Sequence, residues 1–139
     1  MAYSLLYVSK TLLTFPAGEA EVANIVEVAR SRNATLGVTG ALISTGAYFA
    51  QVLEGEQQAV EELMRSIDAD ARHMRVKILR TVAEARRFSG WSMAYSGNAG
   101  FVDRHIAPLF SPLAGGDATY LAMKLIGLME EFVRLPPAG

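Results

Sequence analysis

Two polar side chains, Tyr7 and Gln51, lie in the middle of short apolar segments that are typical of buried β-strands. A buried tyrosine commonly pairs its hydroxyl group with an acceptor, so Tyr7 alone is compatible with an ordinary core residue. Gln51 needs more explanation, because its amide has two donors and one acceptor oxygen, and burying it unpaired costs about 1–3 kcal/mol. Its amide therefore requires a partner that offers both donor and acceptor atoms.

Further polar side chains fall at the ends of two predicted helices. Asn33 is a candidate C-cap of the first helix, where Arg32 and Asn33 place a cation and an amide side by side. Arg72 and His73 follow the second helix and add further donor groups. Each has an ordinary structural explanation, as a cap or as a solvated loop charge.

The spacing of apolar residues predicts the elements that position these side chains. In the first strand, Leu5 and Tyr7 share one face and Leu6 and Val8 the other, so both faces of the sheet are expected to be covered. The predicted elements are a strand over Tyr3–Ser9, a helix over Glu19–Arg32, a hairpin of Val38–Ser44 and Ala47–Glu54, a helix ending near Asp68, strands over Val76–Val82 and Trp91–Ser96, and a helix from about Asp117 to Arg134.

This order, β-α-β-β-α-β-β and then a helix, predicts an α+β fold with a ferredoxin-like core. That core is a five-stranded mixed sheet with two helices on one face. Trp91 and Met93 are predicted to share a face of the fifth strand, as core residues or as part of a cofactor wall. The last helix is apolar almost all round, so it must pack on the open face of the sheet or on another subunit. We expect residues 1–97 to form the core, and 98–139 a helical extension of the same compact domain that serves output or oligomerisation.

The composition argues against several classes of function. With 139 residues, 51% of them hydrophobic, and a net charge of −1, the sequence predicts one compact domain without a nucleic-acid footprint. It has no cysteine and only two histidines, His73 and His105, so neither thiol chemistry nor a metal site is expected. Because no apolar stretch is long enough to span a bilayer and the N-terminus does not resemble a signal peptide, we expect no membrane association and a cytoplasmic location.

In their order and spacing, these residues resemble the BLUF family of blue-light sensors that use FAD. The resemblance covers about residues 3–97 and is carried by the segments LLYVS, ARSRNATLGVTGAL, AYFAQVLEG, ADARHMRVKIL and ARRFSGWSM. It implies that a flavin ring lies between the two helices, over the sheet. The edge of that ring, with N5, the C4 carbonyl and N3–H, would be the partner that Gln51 requires. FAD, rather than FMN or riboflavin, is expected from the family alone, since the sequence has neither a Rossmann fingerprint nor a P-loop.

The resemblance also implies roles for individual residues. Tyr7 corresponds to the photoactive tyrosine, Gln51 to the switching glutamine, and Asn33 to the asparagine that hydrogen-bonds the flavin ring. Trp91 and Met93 correspond to the signalling pair on the fifth strand. The other implied cofactor-binding residues are Ile25, Ala29, Arg32, Leu42, Phe49, Ile67, Asp70, Arg72 and His73.

For function, the resemblance implies a photoreceptor and not an enzyme. Light would drive transfer of an electron and then a proton from Tyr7, and Gln51 would rotate or tautomerise and shift the flavin absorption to the red. Because no effector domain follows Arg134 in this sequence, we expect the signal to pass to a separate effector protein or through a homodimer or larger homo-oligomer.

Two other interpretations fit parts of this sequence. One is a ferredoxin-like module without photochemistry that binds a small ligand or regulates a partner. The other is an acylphosphatase-type enzyme, which would need an arginine and asparagine cradle for a phosphate. Arg32 and Asn33 are adjacent at a helix end and do not form such a loop. A bound flavin that responds to light would distinguish the sensor from both.

Overall fold

The structure is a computed structural model that describes residues 1–14, 17–96, 102–110 and 118–134. Its elements follow the predicted order, with one short helix added before the last. They are β1 (Ala2–Thr11), α1 (Glu19–Leu36), β2 (Thr39–Ser44), β3 (Tyr48–Gly55), α2 (Gln57–Asp68), β4 (His73–Glu84), β5 (Ala94–Ser96), α3 (Asp103–Ile106) with a 3₁₀ turn at Ala107–Phe110, and α4 (Ala118–Arg134).

The strands form one sheet in the order β4-β1-β3-β2-β5. The ladders β4–β1, β1–β3 and β3–β2 are antiparallel, and within the described residues three residue pairs join β2 to the parallel β5. The predicted α+β fold is confirmed. The fifth strand, however, begins three residues later than predicted, because Trp91, Ser92 and Met93 precede it. The carbonyls of Ser92 and Met93 accept hydrogen bonds from α1 side chains and are not part of a strand ladder.

Both faces of the sheet are buried, as the alternation in β1 predicts. Leu5 and Tyr7 pack with residues of α1 and α2 in one apolar cluster. Leu6 and Val8 point to the opposite face, where they join a second cluster with α4. Of the two places considered for the last helix, α4 therefore covers the open face of the sheet, and it buries Ala122, Leu125, Ile126 and Met129 there.

Helix boundaries differ from the sequence prediction at two points. Helix α1 continues to Leu36, so Asn33 lies inside its last turn and is not the C-cap. Gly37 ends the helix instead, with a left-handed φ of 68° that glycine adopts without strain. The N-cap predicted at Asp117 and the boundary predicted at residue 97 both lie outside the described residues.

Strand β4 is longer than predicted and has two irregularities in its pairing with β1. The register shifts between Leu6 and Tyr7 and again between Val8 and Lys10, on either side of the Tyr7–Val8 step. Arg75, in the second of these, has a φ of 55°, which is uncommon for a residue with a side chain. β-Bulges of this kind re-aim neighbouring side chains, and here they flank the strand position of Tyr7.

Candidate functional site

A cleft opens between α1 and α2 above the middle of the sheet. Strands β1, β2 and β3 supply its floor, the two helices its walls, and the segment after α2 its far end. The lining residues are Tyr7, Asn24, Ile25, Val28, Ala29, Arg32, Leu42, Phe49, Gln51, Ser66, Ile67, Asp70, Arg72 and His73.

The cleft brings together every predicted cofactor-binding residue except Asn33. Asn24, Val28 and Ser66 were not predicted to line it. Val28 has a signal in the sequence, since it is an apolar residue that follows Ile25 at helical spacing. Ser66 precedes the predicted Ile67, and nothing in its residue type distinguishes it.

Tyr7 and Gln51 are directly opposite each other in the β1–β3 ladder, and both are buried. The Tyr7 hydroxyl donates a hydrogen bond of 2.6 Å to Gln51 Oε1. Burial, with a smaller contribution from the nearby Asp70 carboxylate, raises the pKa of the Tyr7 phenol. At neutral pH the phenol therefore keeps its proton and directs it at the glutamine oxygen.

The other end of the Gln51 amide faces Met93. Gln51 Nε2 donates to Met93 Sδ at 3.5 Å, and a thioether sulfur is a weak acceptor. Met93 is only 1% exposed, whereas Trp91 is 48% exposed. The prediction that these two residues share a face is therefore wrong, because they precede β5 and do not alternate within a strand.

Two side chains of α1 hold the backbone beside Met93. Arg30 Nε donates to the Met93 carbonyl and Asn33 Nδ2 to the Ser92 carbonyl, each at 3.0 Å. Asn33 is buried, but it is not among the side chains that line the cleft. Its amide nitrogen is directed at the protein backbone, so the expected contact between Asn33 and a flavin ring remains a prediction.

The far end of the cleft carries a compact ion pair. The backbone N–H and Nε of Arg72 both donate to Asp70 Oδ1 at 2.9 Å, and Arg72 Nη1 lies 3.6 Å from Glu21 Oε2. The side-chain hydrogen bond from Arg72 is the main cause that lowers the pKa of Asp70 to about 2. Carboxylates of the same chain thus already neutralise much of the Arg72 charge. At the mouth, Arg32 is exposed and its Nη1 lies 3.4 Å from Ser66 Oγ.

His73 fixes the end of α2 to the sheet. Its Nε2 lies 2.6 Å from the Ile67 carbonyl, which can only accept, so Nε2 carries a proton. Its Nδ1 lies 2.7 Å from Ser9 Oγ. The imidazole stands edge-on to Tyr7 and Phe49, with ring centroids 6.2 and 6.3 Å away, and so it helps to fix the position of the Tyr7 ring.

Glu54 is a buried acid that the sequence analysis did not single out. Its Oε1 accepts from Thr39 Oγ1 at 3.0 Å and from the Phe88 N–H at 3.1 Å, and its Oε2 accepts from the Arg87 N–H at 2.6 Å. The available signal was an acidic residue that ends an apolar strand, FAQVLE, on the face opposite Gln51. Glu54 ties the end of β3 to the connection that leads to Met93.

The sequence also matches a known protein family. The family model described as "Sensors of blue-light using FAD" matches residues 2–94, which is more than half of the chain. The chain belongs to the BLUF family. The expected cofactor, FAD, is the one that the family description names.

Relatives carry the same sensor unit in different contexts. The blue light- and temperature-regulated antirepressor BluF of Escherichia coli K12 is 39% identical over 69 residues, which are 49% of this chain and 17% of that protein. The photoactivated adenylate cyclase subunit beta of Euglena gracilis is 32% identical over 90 residues, 64% of this chain and 10% of the relative. The chain thus spans less than a fifth of either relative.

The fold itself matches solved BLUF structures. The photo-activated state of BlsA superposes with a TM-score of 0.76 at 26% identity, covering 100% of this chain and 99% of that one. In the described part of the chain, no helix has the length and apolar character needed to cross a membrane. The same residues contain no cluster of three or more acidic or histidine side chains suited to a metal ion.

Proposed function

We propose that this BLUF chain is a blue-light photoreceptor that binds FAD in the cleft between α1 and α2. It responds by rearranging the Tyr7–Gln51 pair and not by catalytic turnover. The observation that carries the proposal is the 2.6 Å hydrogen bond from Tyr7 to Gln51 Oε1 on the floor of the cleft. A phenol and an amide that are hydrogen-bonded to each other on the floor of the cleft can transfer a proton toward a ring bound above them. They can also change which of their atoms donates a hydrogen bond to that ring.

The side chains of the cleft suit a flat aromatic ring with an anionic tail. Ile25 and Ala29 on α1 and Ile67 on α2 supply apolar walls, and Leu42 lies between them on the floor. Such walls favour an aromatic ring by burial and close packing. The exposed guanidinium of Arg32 at the mouth is the cation best placed for a diphosphate, since Arg72 is already paired with Asp70.

A bound flavin would supply absorption of blue light and an electron acceptor. Tyr7 would donate an electron to the ring and then its proton, which would pass along the hydrogen bond and the Gln51 amide to the ring. The oxidised Tyr7 oxygen, without its proton, would accept a hydrogen bond, and Gln51 would turn its amide so that Nε2 faces Tyr7. Return of the electron and the proton to Tyr7 would restore both partners while Gln51 keeps its new orientation.

The contact at the opposite end of the amide keeps the free-energy cost of this turn small. There, the turn breaks a hydrogen bond of 3.5 Å from Nε2 to the Met93 sulfur, which is weaker than a hydrogen bond to oxygen. Tyr7 and Met93 thus give Gln51 one strong and one weak partner. Such an arrangement provides a group with two alternative orientations close in free energy.

We propose that the output passes to a separate effector protein or to a second copy of the chain through α4. Tyr120, on that helix, is 67% exposed, which suits an aromatic contact at an interface. The relatives include an antirepressor and an adenylate cyclase subunit, so a sensor unit of this family is compatible with different outputs. A direct nucleic-acid partner is not expected for a chain with a net charge of −1.

The test is a flavin spectrum of the purified chain after reconstitution with FAD. We expect a yellow protein whose absorption shifts to the red under blue light and returns in darkness, with FAD released on denaturation. A preparation that cannot take up FAD would contradict the proposal. Bound FAD without a light-induced shift would favour the ligand-binding module without photochemistry.

A further inference from the structure

The connection between β4 and β5, residues 85–93, contacts both faces of the sheet. We call it the connecting segment. At one end Met93 accepts the hydrogen bond from Gln51, beneath the cleft. At the other end Arg87 reaches α4, which covers the opposite face of the sheet. Five residues of chain therefore separate Met93, the partner of Gln51, from Arg87, the partner of α4.

The connecting segment is held along its length by hydrogen bonds. Glu54 accepts the backbone N–H groups of Arg87 and Phe88, at 2.6 and 3.1 Å. The Trp91 N–H donates to the Phe88 carbonyl at 2.9 Å, and the Trp91 carbonyl accepts from Gly40 N–H at 3.1 Å. These hydrogen bonds connect the backbone near Met93 with the backbone at Arg87, so the two ends of the segment are physically linked.

The side chain of Arg87 joins β4 to α4. Its Nη1 donates to Glu130 Oε1 at 3.0 Å and its Nη2 to Glu84 Oε2 at 3.2 Å. Hydrogen bonds from Arg80 and then from Arg87 lower the pKa of Glu84 to about 2, so this carboxylate stays charged at neutral pH. The guanidinium therefore has a fixed anion on the sheet and a second carboxylate on the helix.

We propose that Arg87 is the positioning residue that couples the Gln51–Met93 contact to α4. The inference rests on the proposed light response of Gln51. When the amide turns, Met93 Sδ loses its donor and the Met93 side chain shifts, and that displacement passes along the hydrogen-bonded connecting segment to the Arg87–Glu130 contact. Direct packing of β5 against α4 is the competing route, and it does not involve Arg87.

The test compares hydrogen–deuterium exchange in α4, lit against dark, for the FAD-loaded full chain and for Arg87→Gln. In the unchanged chain we expect blue light to alter exchange across Ala122–Met129. In Arg87→Gln the flavin red shift should be retained, while the lit–dark difference in α4 falls by about threefold or more. Arg87→Lys, which keeps the cation, should restore part of that difference.

Arg86→Gln is the matched control. Arg86 is the neighbouring arginine on the same segment, but its Nη1 donates to the carbonyls of Gly37 and Glu54 and to Thr39 Oγ1, which belong to the sheet and its connection to α1. This variant should keep the lit–dark difference in α4. Should Arg87→Gln fail to fold, Glu130→Gln tests the same contact from the helix side.

An unchanged light response of α4 in both Arg87→Gln and Glu130→Gln would overturn the inference in favour of the β5 route. A red-shifting chain whose α4 shows no light response would overturn it too. Absence of the red shift in the unchanged chain contradicts the proposed function itself, and the spectrum alone reveals that outcome.

Discussion

Replacing Glu54 by alanine removes the acceptor for three donors at once. Two of them are the backbone N–H groups of Arg87 and Phe88, and the third is the Thr39 hydroxyl. Phe88 is buried in the cluster beneath α4, so its N–H has no ready access to water. The Thr39 hydroxyl is only partly buried and can turn toward solvent.

The cost follows mainly from the buried Phe88 N–H, because the Arg87 N–H, like the Thr39 hydroxyl, is only partly buried. A buried donor left unpaired costs about 1–3 kcal/mol, so Glu54→Ala should lower the free energy of unfolding by about 1–3 kcal/mol or more. Glu54→Gln keeps one acceptor oxygen and should lower it less. Domains of this kind are stable by about 5–15 kcal/mol, so the alanine variant should still fold.

Urea denaturation measures the effect as a shift of the unfolding midpoint at unchanged slope. Glu62→Ala is the control, since Glu62 is an exposed acid on α2 and should change stability by less than about 0.5 kcal/mol. If both Glu54 variants unfold at the same urea concentration as the control, the Glu54 carboxyl group does not stabilise the connecting segment, residues 85–93.

Gly40→Ala should destabilise the chain by about 1–3 kcal/mol or more, because a Cβ there would lie 2.0 Å from the backbone oxygen of Val52. A thermal melt measures the effect, and Gly127→Ala, where a Cβ would have open space around it, is the control. The pKa of Asp70 is lowered from 3.8 to about 2. The ionised carboxylate therefore stabilises the folded state fully above pH 3.8, and this stabilisation is lost as the pH falls toward 2. Asp70→Asn should therefore weaken the acid dependence of the urea midpoint in that window, and an unchanged acid dependence would contradict the pairing. Because the pKa of Tyr7 is raised above its usual 10.0, the folded protein should form no phenolate at Tyr7 near that pH. Ultraviolet titration of the folded chain and of Tyr7→Phe should then give equal amplitudes there, and a smaller amplitude in the variant would show that Tyr7 ionises.

The sequence predicted the faces of the central strands because alternation is a local property. Leu5 and Tyr7 lie on one face of β1 and Leu6 and Val8 on the other, as expected. The direct pairing of Tyr7 with Gln51 was not predictable in this way. It depends on the register between two strands more than forty residues apart in the chain, which local periodicity does not specify.

Errors in the prediction arose where tertiary contacts override local pattern. Asn33 has the residue type of a helix cap, yet its amide binds the Ser92 carbonyl and the helix continues past it. Trp91 and Met93 have the spacing of one strand face, but α1 side chains bind the backbone at Ser92 and Met93 and β5 begins only at Ala94. Neither contact has a signature within a short window of sequence.

We propose that Gln51, hydrogen-bonded to Tyr7, is the group that light rearranges. The most direct measurement is the light-minus-dark absorption spectrum of the FAD-loaded chain beside those of Gln51→Leu and Tyr7→Phe. Tyr3→Phe is the control, since Tyr3 lies on the same strand but does not line the cleft. We expect a red shift in the unchanged chain and in the control, and bound FAD without that shift in the other two. A normal red shift in Gln51→Leu would contradict this role of Gln51.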